Sequence, residues 1–141
     1  MKRNLTTIAT VVMMVLSLSS FANEKVSPMK DYATRNIVSN YIDASLLGKQ
    51  SFVKEMLTDN FEFVNAATNS KATKKEYGKF LENTNNLTYS CTSSYEILDQ
   101  SGDIAVAKVT MKFENFTRVD IVNMSNTADG WKINRVISNF L

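Results

Sequence analysis

Two side chains in this sequence could take part in proton or hydrogen-bond chemistry from apolar surroundings. Tyr41 falls on a stripe with Met29, Ala33 and Ile37, spaced every four residues. Asp120 lies between Val119 and Ile121 in a segment that is otherwise largely apolar. On a pocket wall, the phenol could donate a hydrogen bond and the carboxyl could meet a ligand's polar group. The plainer alternatives are a core tyrosine with a hydrogen-bond partner and an aspartate held in an ion pair. Arg118 is two residues from Asp120 and shares its strand face, and Arg135 or Lys132 are further candidate partners. Asn65 is polar where the pattern calls for an apolar residue. It either ends a strand or offers its amide to a pocket. Tyr89 and Tyr95 share a face with Cys91 and Ser93, which suits a partly wet pocket wall or a dimer surface. Tyr41, Asn65, Tyr89, Tyr95, Arg118, Asp120 and Arg135 are therefore the pocket candidates, and none of them is assigned a catalytic role.

The missing residue types narrow the chemistry further. The chain has no histidine, which removes Ser-His-Asp and Cys-His catalysis and the commonest metal ligand. With Cys91 as the only cysteine, no intramolecular disulfide can form, and this thiol is expected as a small buried residue. Gly-rich phosphate loops and paired-Cys zinc spacings are absent. Neither a metal nor a cofactor is expected.

The N-terminus reads as an address. Lys2 and Arg3 precede the apolar run Ile8–Leu18, and Ser20 and Ala22 are small residues at the positions a signal peptidase reads. Cleavage is expected after Ala22, giving an exported protein, periplasmic or secreted, and a single domain over residues 23–141. The apolar run is short for a bilayer span, which takes about 20 residues. Lys2 and Arg3 also account for the whole formal charge of +2, so residues 23–141 are neutral. No basic stripe remains for nucleic acid, and no membrane association is expected after cleavage.

The elements that must position the candidates follow in order. Ser27-Pro28 starts an amphipathic helix that carries Tyr41 and ends at Gly48. A short helix, "SFVKEML", follows. Thr58-Asp59-Asn60 reads as a turn, Phe61–Asn65 as a strand and Ala66–Ala72 as a loop. Thr73-Lys74-Lys75-Glu76 is a capping box for a third helix, with Tyr77, Phe80 and Leu81 on its buried face. Lys74, Lys75 and Lys79 would form its solvated side. From Leu87 the period changes to two, predicting a long strand with a Thr/Ser-rich outer face. Turns at Ser101-Gly102-Asp103, at Asn115 and at Asp129-Gly130 then link three further strands, and Trp131 in the last is expected in the core. Three helices at one end of a curved antiparallel sheet make an α+β domain with a concave pocket between the layers.

The helix segment "YIDASLLGK", the "TDNFEFVN" that follows and the ending "DGWKINRV" together resemble the nuclear transport factor 2-like superfamily. The pattern "GDIAVAKV…F…D…DGWKI" is most similar to its lumazine-binding branch of small exported bacterial proteins. The resemblance implies a cone-like curved sheet wrapped around a long N-terminal helix. It also implies a small apolar or aromatic ligand and a homodimer formed through the open sheet face. Ketosteroid isomerases and polyketide cyclase-like (SnoaL-like) proteins share the fold. Compared with the isomerases, Tyr41 matches the oxyanion-donating tyrosine, and Asp120 matches the neutral acid once the hairpin gains two residues. Asn65 stands where their general-base aspartate would be, and an amide cannot take that proton. An exported domain that binds a small molecule, or presents its sheet to a partner or to itself, without catalysis is therefore the favoured reading. The alternative is an isomerase, cyclase or dehydratase that uses Tyr41 and Asp120 as hydrogen-bond donors.

Overall fold

The computed structural model describes residues 28–84 and 90–141. The expected signal peptide, its cleavage point and Tyr89 lie outside the described residues. Helix α1 (Pro28–Leu47) runs the length of the domain. Its inward stripe of Thr34, Ile37, Val38, Tyr41, Ile42, Ala44 and Ser45 is buried, with the three- and four-residue spacing of one helix face. Gly48 ends the helix at φ 64°, a left-handed turn that costs a glycine little. Helix α2 (Ser51–Met56) buries Phe52 and Val53.

Strand β1 (Leu57–Asn65) follows α2 without a turn. Thr58–Asn60 were expected to turn, but they are extended. Leu57 and Glu62 on either side pair with the last strand, β6 (Gly130–Phe140), across a register shift, so tertiary pairing overrides the turn-forming composition of Thr58–Asn60. The expected loop 66–72 is also shorter than predicted. It turns at Ala66–Thr68, passes through Asn69 at φ 53°, and returns as strand β2 (Lys71–Thr73) antiparallel to β1. Helix α3 (Lys74–Thr84) begins at the capping box. The Thr73 and Glu76 groups exchange backbone contacts, Thr73 N–H donating to Glu76 Oε2 at 2.8 Å and Glu76 N–H to Thr73 Oγ1 at 3.4 Å. Tyr77 and Leu81 are buried in the helix, whereas Phe80, expected inside, is 53 % exposed. Lys74 Nζ reaches the Leu57 carbonyl at 3.1 Å and Asp59 at 3.2 Å, so it ties α3 to β1.

Four strands complete the fold: β3 (Thr92–Ser101), β4 (Ile104–Lys112), β5 (Thr117–Thr127) and β6 (Gly130–Phe140). Gly102 at φ 56° and Gly130 at φ 97° make the tight hairpin turns. The six-stranded sheet has the order β2-β1-β6-β5-β4-β3. All its pairings are antiparallel except β1 with β6, which is parallel because most of the chain crosses over between them. Ala107, Val109, Met111, Val122, Met124, Ile133 and Val136 fill the inner face against α1, while Trp131 and Cys91 are only partly buried at its margin. Burial at that margin raises the Cys91 thiol pKa.

Candidate functional site

The period of two along β5 and β6 decides which side chains meet. Arg118, Asp120 and Val122 point to the inner face of β5, and Val136 and Ser138 to the inner face of β6. Asp120 lies opposite Ser138 in the ladder. Tyr41, 79 residues earlier in the chain, reaches the same point from α1.

These groups form one buried polar cluster. Tyr41 donates to Asp120 Oδ2 at 2.6 Å. Arg118 Nη2 lies 2.8 Å from Asp120 Oδ2, and Arg118 Nε donates to Asp120 Oδ1 at 3.0 Å, a fork-like pairing of guanidinium and carboxylate. Nε also donates to Ser138 Oγ at 3.1 Å, and Nη2 to Tyr41 Oη at 3.1 Å. Asp120, Tyr41 and Ser138 are fully buried, and only 12 % of the Arg118 side chain is exposed. Burial raises the Tyr41 phenol well above its ordinary range, and the Asp120 charge pushes the same way against a smaller opposing effect of Arg118. Tyr41 is thus a fixed proton donor. Burial alone would lower the Arg118 pKa, but Tyr41 and Asp120 outweigh it, so the guanidinium stays charged.

One end of Arg118 opens into a cleft of about 300 Å³. Phe63 and Phe140 flank the guanidinium, their ring centroids 5.6 and 6.0 Å from Cζ. Tyr77 stacks on Phe63 at 5.3 Å and 16°, and Phe80 continues the row at 6.3 Å and 25° from Tyr77. Asn65 and the β2 segment form the opposite lip. Asn65 Oδ1 accepts from the backbone N–H groups of Ala67 at 3.0 Å and Thr68 at 3.3 Å. It is therefore both a turn residue and a cleft residue, and its NH2 group has no partner among the described residues. A wider groove of about 590 Å³ between α2 and α3 is lined by Lys54, Lys75, Lys79 and Glu82. It has neither a ring row nor a buried donor.

The sequence candidates thus separate. Arg118 and Asn65 line the cleft, and Tyr41 and Asp120 lie behind Arg118, out of a ligand's reach. Tyr95 packs at the core margin on β3, away from the cleft. Arg135 points to the outer face, where it pairs with Glu62 at 3.3 Å, so it does not partner Asp120. The expectation that Tyr41 and Asp120 donate to an oxyanion is corrected by the hydrogen bonds. The single phenolic proton is given to Asp120, and both Asp120 oxygens accept. The sequence places Phe80 on the buried face of its helix and does not single out Phe63, Phe140 or Ser138. Phe63 and Phe140 share a signal, since each occupies an inward strand position near a sheet end. Among the described residues no cluster of three His, Cys, Asp or Glu side chains could hold a metal, and no helix is long and apolar enough to cross a membrane.

Known proteins with the same fold place this geometry. A protein of unknown function from Silicibacter pomeroyi, described as NTF-2 like, matches 80 % of this chain and 97 % of its own at 13 % identity and a TM-score of 0.69. An NTF2-like protein from Cytophaga hutchinsonii matches 82 % and 100 % at 13 % identity with 0.67. One from Methylobacillus flagellatus, also of unknown function, matches 83 % and 96 % at 17 % identity with 0.66. At these identities they show the nuclear transport factor 2-like fold alone. No curated protein matches the sequence. The family model described as "Putative lumazine-binding" matches residues 29–136, well over half of the sequence, and the chain belongs to that family.

Proposed function

We propose that this protein is a ligand-binding module that holds one small apolar or aromatic molecule in the Arg118 cleft and does no chemistry on it. The observation that carries this reading is the ring-walled cleft with a charged guanidinium fixed at its end by Asp120, Tyr41 and Ser138. A cleft of about 300 Å³ is at the small end of ligand sites. The family's name supports a flat heterocycle as the kind of occupant. Catalysis is disfavoured because Asn65 cannot act as a base and the Tyr41 proton is committed to Asp120, whose two oxygens both accept. We propose further that residues 1–22 direct export, so the ligand is met outside the cytoplasm.

The test is native mass spectrometry of protein purified from its own cells. The expected spectrum shows a bound small molecule that leaves on mild activation. A spectrum of bare protein under conditions that retain weak ligands would overturn the reading. The homodimer expected through the outer sheet face belongs to the same proposal. There the Ile121 and Ile137 pair lies on the side away from the helices. Sedimentation at rising concentration should show the dimer, and a monomer throughout would rule it out.

A further inference from the structure

Among the described residues, the side-chain nitrogens left without a partner around the cleft are donors. A guanidinium carries five N–H bonds. Asp120, Ser138 and Tyr41 occupy Nε and Nη2, while Nη1 has no partner among the described residues. The Asn65 carbonyl oxygen is consumed by Ala67 and Thr68, which leaves its NH2 group. Lys71 stands on the same lip, its Nζ 2.9 Å from Glu62. The hydroxyls of Ser70 and Tyr77 are engaged with Thr68 and Ser45. Among the described residues no carboxylate lines the cleft.

The charges around this lip set the range of the attraction. Asp120 compensates Arg118 from behind, and Glu62 compensates Lys71 from the outer face. Glu62 also pairs with Arg135, so these three cations and two carboxylates keep one net positive charge near the lip. An acceptor that touches Nη1 and the Asn65 amide gains one charge-assisted and one polar hydrogen bond. The near-parallel Phe63, Tyr77 and Phe80 rings favour a flat partner, and the volume excludes a long acyl chain.

We propose, resting on the binding role of this cleft, that its occupant is a compact aromatic anion. It is an aryl carboxylate or the acidic edge of a one- or two-ring heterocycle, with the anionic oxygen on Arg118 Nη1 and the Asn65 amide and the ring against Phe63 and Phe140. Specificity then comes from charge matching, because a cationic ligand would meet Arg118 and Lys71 with no lining carboxylate to pair with.

The experiment is calorimetric titration of the full-length protein with naphthalene-2-carboxylate, naphthalene-2-carboxamide, 2-naphthylmethylamine and the saturated decahydronaphthalene-2-carboxylate. Naphthalene-2-carboxylate should bind about tenfold or more tightly than the carboxamide, as expected for a hydrogen bond to a charged group. The amine should bind weakest, and the saturated acid less tightly than the aromatic one. Equal affinities of carboxylate and carboxamide, or a preference for the amine, overturn the anion assignment while leaving the cleft a ligand site. Absence of binding by all four probes overturns the binding role itself. Asn65→Asp keeps the oxygen that caps the turn and replaces only the donor. It should fold like the parent, weaken naphthalene-2-carboxylate about tenfold and strengthen the amine. An unchanged carboxylate affinity in a folded Asn65→Asp protein removes Asn65 from the site and overturns this placement.

Discussion

Arg118 and Asp120 hold each other in place, and each would be costly alone. Removing one partner of a buried pair leaves the other charge without compensation, a loss of about 3–5 kcal/mol. Asp120→Ala is therefore expected to lower the unfolding free energy by about that amount in urea denaturation. A loss below about 1 kcal/mol, the worth of a surface pair, would mean that Arg118 finds other partners. Tyr41 adds a pH signature. Its folded-state pKa is raised above the unfolded value of about 10, so the stability it contributes is complete below pH 10. That stability is lost as pH rises through the folded pKa. Denaturation midpoints should therefore be flat for this group from pH 7 to 9 and fall above about 10, and Tyr41→Phe should flatten part of the alkaline fall. An alkaline fall identical in Tyr41→Phe would place the titration elsewhere. The ion pair was legible in the sequence, because Arg118 and Asp120 are two residues apart on a period-two strand. The phenol's role was not, because nothing in a sequence shows that residues 79 apart will meet.

Among the elements, capping and turn chemistry carried through best. Gly48, Gly102 and Gly130 all adopt positive φ where a helix end or hairpin was expected. The Thr73–Glu76 capping box forms as its spacing predicts. Thr73→Ala should cost about 0.5–2 kcal/mol, measured by thermal or urea unfolding. The cleft should feel it too, since Thr73 ends β2 and β2 forms the cleft lip. The failures have a common cause. Lys71–Thr73 is too short to show a strand period, yet pairing with β1 recruits it; Thr58–Asn60 has turn composition, yet the pairing of Leu57 and Glu62 with β6 on either side holds it extended. Phe80 was assigned inward by helical spacing, but α3 lies at the sheet margin, so the outer edge of its apolar stripe overhangs the cleft instead of the core.

At the scale of the molecule, composition and order sufficed for the architecture. Helices precede a run of hairpins, and a sheet so built must cover its apolar inner face with α1. The one parallel contact, β1 with β6, brings Phe63 and Phe140 to the same end of the sheet as Arg118. That convergence makes the site, and it depends on topology, which residue types do not display. A ligand in the Arg118 cleft is what joins the ring contacts, the fixed guanidinium and the free Asn65 amide. The most direct measurement is NMR shift mapping of the full-length protein titrated with naphthalene-2-carboxylate. Saturable shifts should centre on Asn65, Lys71, Phe80, Arg118 and Phe140. Shifts confined to the Lys54, Lys75 and Lys79 groove, or no saturable shift at all, would contradict the account.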